Sequence, residues 1–92
     1  KGPAPEALAQ RKAKSVQQQL KLNEEQYKGI YEAELNYQKE LETAHANGYE
    51  PGPGQSMQMN MTKDQGYKKA LTAAQYTKYE SMQPKAASET NR

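Results

Sequence analysis

Three methionines that alternate with polar residues are the side chains best suited to metal chemistry in this sequence. Met57, Met59 and Met61 form a Met-x-Met-x-Met run, and thioether sulfurs are soft ligands that can bind Cu(I). Methionine also serves as adaptable apolar filler beneath loops. We therefore take packing as the preferred interpretation and a copper site as its alternative. The single histidine, His45, suits a helix C-terminus better than a zinc site, which would need three further ligands.

The sequence lacks the residue combinations on which enzyme active sites are usually built. It has no cysteine and one histidine. It contains neither a glycine-rich phosphate loop ending in Lys-Ser/Thr nor an acid pair whose spacing suggests catalysis. The neighbouring carboxylates Glu24/Glu25 and Glu40/Glu42 fit an exposed helix surface. We predict a protein that is not an enzyme and that needs no cofactor.

A repeated segment, LNEEQY at 22–27 and LTAAQY at 71–76, has the spacing of a helix start. The Asn or Thr can cap the helix, and the Gln three residues later can bond back to the N–H of the cap residue, which together make a capping box. The leucine before the cap and the tyrosine after the Gln can form a hydrophobic staple. The predicted structural residues are Leu22, Asn23, Gln26, Tyr27, Leu71, Thr72, Gln75 and Tyr76. A weaker third copy at 61–67 has Gly66 in place of the tyrosine.

Apolar spacing, caps and helix breakers divide the chain into three or four predicted helices. The first covers 6–21 and the second extends from Glu24 to about residue 46. Proline and glycine then predict a linker over about 47–60 that lacks regular structure. A further helical region over 62–83 restarts at the second repeat and is stopped by a proline.

These elements predict one all-α domain, a helical hairpin within residues 1–83, followed by a flexible C-terminal tail at 84–92. Only 34% of the residues are hydrophobic. Because such a small, apolar-poor domain leaves much of its surface wet, we expect it to gain stability as a homodimer.

Charge runs basic, acidic and basic along the chain, and the formal net charge is only +2. Spread basic residues with an acidic middle segment are a poor match to the phosphate backbone of nucleic acid. No apolar run reaches the length of a membrane span, so membrane insertion is not predicted either.

Tyrosine supplies all the aromatic residues, seven in number, and much of the predicted apolar face. Such amphipathic rings suit reversible contact with unfolded clients or with a second copy, and they equally suit a core. The predicted client or dimer surface consists of Ile30, Tyr31, Tyr37, Leu41, Tyr67 and Tyr79. Glu34 and Gln38 project into this face, where they would line a wet groove or mark the dimer contact.

The paired Leu-Asn/Thr-x-x-Gln segments at 22–26 and 71–75 resemble the motif of the Spy/CpxP family of bacterial envelope proteins, often called LTXXQ-motif proteins. The second copy matches the motif fully, and the first has Asn for Thr, an equally good cap. The resemblance spans about residues 15–83. It implies a periplasmic protein, exported with removal of a signal peptide, whose all-helical hairpins pair antiparallel.

The same resemblance implies a function without catalytic residues. Members of the family act as ATP-independent chaperones or as stress-linked accessory proteins, some modulating a sensor kinase and some binding zinc. We therefore expect a noncatalytic periplasmic protein that binds unfolded or client polypeptides. The alternatives are a signalling accessory that docks one sensor protein and a copper- or zinc-binding envelope protein.

Overall fold

The computed structural model describes residues 2–83, which form four helices connected by short turns. The helices are α1 (Pro5–Leu20), α2 (Glu24–Ala46), α3 (Pro53–Ala70) and α4 (Ala73–Met82). No strand occurs in this part of the chain, so the predicted all-α class is confirmed. The predicted tail at 84–92 lies outside the described residues.

The longest helix, α2, is the centre of the fold. Helix α1 packs against it from one side and α3 from the other, while α4 contacts both α1 and α3. The radius of gyration is 14.0 Å and the extents are 39 × 37 × 20 Å, whereas a compact chain of this length would have a radius of about 12 Å. The molecule is therefore a flat layer of helices with a large surface for its size.

The Pro/Gly-rich stretch contains a helix start where the sequence predicted only a linker. Gly52 is the N-cap of α3 and Pro53 occupies its first turn, where a proline lacks no hydrogen bond because that N–H would be unpaired anyway. The residues that follow are mainly good helix formers such as Met and Gln. The linker therefore covers 47–52, not 47–60, and Thr62 lies in the middle of α3. The preceding helix α2 has its C-cap at Asn47, and Gly48 follows at φ 83°.

Small residues set a close contact between α2 and α3. A Cβ added at Gly66 would lie 2.7 Å from the Cβ of Ala33, and one added at Gly29 would lie 3.0 Å from the Cβ of Ala70. The four residues thus alternate across an antiparallel seam, a glycine facing an alanine each time. Gly66, which looked like a defective staple position in the third repeat, is needed for this packing.

The main core lies among the C-terminal part of α1, the N-terminal half of α2, the end of α3 and α4. Its buried residues are Ala13, Val16, Leu20, Leu22, Ile30, Ala33, Tyr67, Leu71 and Tyr79. Three residues of the predicted client surface, Ile30, Tyr67 and Tyr79, are therefore core residues and present almost no area to a partner. For the two tyrosines the physical reason is that α4 folds back and stacks Tyr79 on Tyr67, a contact between helices that helical spacing does not reveal.

Candidate functional site

Both predicted capping boxes are present in the structure. At α2, the Asn23 side chain accepts from Gln26 N–H at 2.8 Å, and Gln26 Oε1 accepts from Asn23 N–H at 3.1 Å. At α4, Thr72 Oγ1 accepts from Gln75 N–H at 3.2 Å, and Gln75 Oε1 accepts from Thr72 N–H at 3.0 Å. Two reciprocal bonds at each start satisfy backbone donors that have no partner within the helix.

The two repeats also contact each other, which the sequence did not predict. Gln26 Nε2 donates to Gln75 Oε1 at 2.7 Å and to the carbonyl oxygen of Ala70 at 3.1 Å. Leu22 and Leu71 are buried, and the tyrosine of each repeat packs against the same core. The repeated motif therefore both starts two helices and joins α2 to the α3–α4 turn.

We expect Gln26→Ala to lower the free energy of unfolding by about 1–3 kcal/mol, because it removes a capping bond and two bonds between elements. Gln65→Ala on the exposed surface of α3 is the matched control and should change the value by less than about 0.5 kcal/mol. Urea unfolding measures both. Equal effects of the two substitutions would show that the junction between the repeats does not stabilise the fold.

A buried carboxylate lies next to the core tyrosines. Glu34 is 3% exposed and accepts a hydrogen bond from the Tyr67 hydroxyl. The Tyr67 and Tyr79 rings stack with centroids 4.2 Å apart. Burial, and after it the charge of Glu34, raises the pKa of Tyr67 far above its ordinary value and that of Tyr79 to about 12. Glu34 therefore neither lines a wet groove nor marks an exposed contact, as the sequence had suggested, because Tyr67 pairs with it inside the core.

A second tyrosine–carboxylate contact joins α4 to α3. The Tyr76 hydroxyl lies 2.7 Å from both carboxylate oxygens of Asp64, and Lys68 Nζ lies 5.5 Å from the centroid of the Tyr76 ring. The hydrogen bond to Asp64 raises the pKa of Tyr76. This contact holds the short helix α4 in place over the core.

A groove of about 600 Å³ lies between α2 and α3. We call it the α2–α3 groove. The small seam residues Gly29, Ala33, Gly66 and Ala70 are among those that line it. At one end it is bordered by Asn23 and Gln26 of the first repeat, so the junction of the two repeats also shapes the groove.

The two walls of the α2–α3 groove differ in charge. From α2 come Glu25, Glu32 and Glu40, together with Asn36 and Tyr37. From α3 come Lys63, Lys69, Met59 and Thr62. Lys63 Nζ lies 4.5 Å from the centroid of the Tyr37 ring, a cation–π contact across the groove. The groove thus has small residues along the seam and an acidic and a basic wall.

The methionine run does not converge on a common point. Met59 is buried at 4% exposure, whereas Met57 and Met61 are 60% and 50% exposed. In a helix, residues two apart point to nearly opposite sides, so the middle thioether faces away from the other two. Within residues 2–83 no group of three or more His, Cys, Asp or Glu side chains is arranged to hold a metal ion, and His45 instead lies 2.7 Å from Glu50.

The rest of the predicted tyrosine surface is half-buried. Tyr31, Tyr37 and Leu41 keep part of their area accessible, and Tyr37 borders the α2–α3 groove. Among the described residues, the large apolar side chains that are exposed are Tyr49, Met57 and Met61. Sequence reasoning missed the groove itself; its available signal was the spacing of Gly29-x-x-x-Ala33 and Gly66-x-x-x-Ala70, which places small residues on one side of each helix.

Comparisons of the chain with known protein families, curated proteins and solved structures find no match. Among the helices of residues 2–83, none has both the length and the apolar character needed to cross a bilayer.

Proposed function

We propose that this chain is a noncatalytic periplasmic protein that binds unfolded or partly folded polypeptides, as an ATP-independent chaperone or an envelope-stress accessory. The observation that carries the proposal is the open α2–α3 groove, which combines small residues, a partly accessible tyrosine and charges of both signs. Such a surface offers many weak contacts to a bound chain.

The length of the groove also favours a polypeptide. On the α2 side the lining extends from the N-cap Asn23 to Glu40, which at about 1.5 Å per residue is roughly 25 Å along the helix. A small molecule would fill part of such a length, whereas a chain segment of several residues can occupy all of it. The site of polypeptide binding in this proposal is therefore the α2–α3 groove, which includes Tyr37, and not the buried residues Ile30, Tyr67 and Tyr79.

The location and the oligomeric state belong to the same proposal and rest on the resemblance of the two repeats to the LTXXQ motif. The two copies form matching capping boxes and contact each other through Gln26 and Gln75. A homodimer is supported by the flat shape, because a layer of helices 20 Å thick leaves broad faces that a second copy could cover.

We expect the chain to suppress aggregation of several unrelated unfolded proteins, and we expect Asn36→Trp to weaken this protection by about fivefold, as for loss of about 1 kcal/mol of binding. Asn36 is exposed on the α2 wall, so an indole there fills the groove without disturbing the core. Lys39→Trp, on the exposed surface of the same helix outside the groove, is the matched control. Light scattering of heated or diluted clients measures the protection.

Two results would contradict the proposal in different ways. Equal protection by Asn36→Trp and by wild type would remove the groove as the binding site. Protection of no client by wild type would favour the rival function, docking to one specific sensor protein, because a dedicated docking surface has no reason to recognise unrelated chains.

A further inference from the structure

The charged residues that line the α2–α3 groove are segregated by helix. Glu25, Glu32 and Glu40 line it from α2, which contributes no lysine or arginine to the lining. Lys63 and Lys69 line it from α3, which contributes no carboxylate. Each helix carries charges of both signs elsewhere, so the separation is a feature of the groove and not of the helices as a whole.

These wall charges do not neutralise one another. No salt bridge joins any of the five to another group of residues 2–83. Lys63 rests over the Tyr37 ring, and Glu40 accepts only a long bond of 3.4 Å from Gln55 Nε2. The groove therefore presents a negative and a positive wall to whatever lies in it.

The backbone of the groove selects for a helical occupant. Both walls are helices whose backbone N–H and C=O groups are already paired within the helix. They therefore offer no free backbone hydrogen-bonding groups with which an extended chain could pair. A helical segment satisfies its own backbone and needs only side-chain contacts. The seam residues Gly29, Ala33, Gly66 and Ala70 carry no long side chains into the groove, so side chains of such a segment can lie along it.

We propose that the α2–α3 groove binds an amphipathic helical polypeptide segment that carries basic side chains along one flank and acidic side chains along the other. The basic flank lies over Glu25, Glu32 and Glu40, and the acidic flank lies over Lys63 and Lys69. This inference rests on the proposed polypeptide binding and specifies which segments are bound.

The charge pattern also fixes the direction of the bound helix. Consider a bound helix with its apolar face toward the groove and its basic flank on the left when seen from its N-terminus. Only one of the two directions along the groove places that basic flank over α2. Exchanging the two flanks of the peptide reverses the direction and preserves every charge pair. Mixing the signs on each flank leaves no direction in which the pairs are all favourable.

Three synthetic helical peptides of identical composition test the proposal: one with split flanks, one with the flanks exchanged, and one with the charges interleaved. Fluorescence anisotropy at low salt measures their affinity for the protein. We expect the first two to bind equally and the interleaved peptide about tenfold more weakly, since exposed charge pairs contribute modestly and add up over the groove. A spin label on the peptide N-terminus should broaden NMR signals most strongly near Asn23 for one split peptide and near Glu40 for the other, the two ends of the groove.

Reversal of one wall charge gives an independent check with a matched control. Glu32→Lys should weaken the split peptide about threefold to fivefold, whereas Glu42→Lys makes the same change of net charge on α2 outside the groove and should leave affinity unchanged. Equal affinity of all three peptides, or a label that broadens the same signals for both split peptides, would overturn the proposal. A third result would also overturn the proposal: no peptide binds, and sedimentation shows a dimer that Glu32→Lys dissociates. The occupant of the groove would then be a second copy of the chain.

Failure here is distinguishable from failure of the proposed function. If the protein suppresses aggregation and Asn36→Trp weakens this effect, but the three peptides bind equally, then polypeptide binding stands and the proposed charge preference fails. If no client is protected but the split peptides bind in opposite directions, the chaperone role fails and the groove specificity stands.

Discussion

Replacing Gly66 by leucine is expected to lower the free energy of unfolding by about 3 kcal/mol, the upper part of the range for overpacked sites. Even a Cβ at this position would lie 2.7 Å from the Cβ of Ala33, and neither atom can move without its helix. The larger side chain must therefore push α3 away from α2. Because small domains are stable by only about 5–15 kcal/mol, the variant should unfold at clearly lower urea concentration.

A glycine in the same helix provides the matched control. Gly54 lies near the start of α3, and a Cβ there would meet nothing within 4 Å. Gly54→Ala should stabilise the protein by about 0.5–1 kcal/mol through helix propensity alone, whereas Gly66→Ala should destabilise it. If Gly66→Ala stabilised the protein as Gly54→Ala does, the close seam would be disproved. Adding Ala33→Gly to Gly66→Ala should recover part of the loss, since it restores the space between the helices.

The seam shows which parts of the fold local sequence can predict. The starts of α2 and α4 follow from the capping boxes at Asn23 and Thr72, because a cap and its reciprocal Gln lie within four residues of each other. Treating proline and glycine only as helix breakers misses the start of α3 at Pro53, because proline is favoured in the first turn of a helix.

The groove and the buried pair could not be predicted in the same way. They depend on contacts between residues that are far apart in the sequence, such as Glu34 with Tyr67 and Lys63 with Tyr37. Helical periodicity places Tyr67 and Tyr79 on apolar faces but does not say whether a later helix covers them. The sequence therefore left core and client surface as alternatives, and packing of α4 decides between them.

Tyr67→Phe is expected to lower the free energy of unfolding by about 2–3 kcal/mol, although it removes only one oxygen atom. Glu34 is then left in the core without its hydroxyl donor, and hydrogen bonds to buried charged groups contribute the most among hydrogen bonds. Tyr49→Phe, at an exposed tyrosine, is the matched control and should change the value by less than about 0.5 kcal/mol.

Removal of both polar groups should be less harmful than removal of one. In the double variant Tyr67→Phe with Glu34→Leu no buried charge remains without a partner, so the loss should be smaller than that of Tyr67→Phe alone. A double variant that loses as much as the sum of the two single substitutions would show that the Glu34–Tyr67 contact carries no coupling energy.

Alkaline pH should reveal the same pair in the wild-type protein. In the unfolded chain tyrosine ionises near pH 10, whereas burial and the charge of Glu34 keep Tyr79 protonated to about pH 12 and Tyr67 still higher when the protein is folded. Above pH 10 the unfolded state therefore releases protons that the folded state retains, and stability that is fully present below pH 10 is lost as the pH rises, by about 1.4 kcal/mol per pH unit for each such tyrosine.

Tyr67→Phe removes one of the groups that the unfolded state deprotonates and the folded state keeps protonated. The free energy of unfolding of the variant should therefore fall less steeply than that of wild type between pH 10 and 12. Urea unfolding at a series of pH values measures the two slopes. Because the lysines are the same in both proteins, their titration cancels in the comparison. Identical slopes would mean that the Tyr67 hydroxyl ionises alike in the folded and unfolded states, which is incompatible with a hydroxyl that is buried against the carboxylate of Glu34.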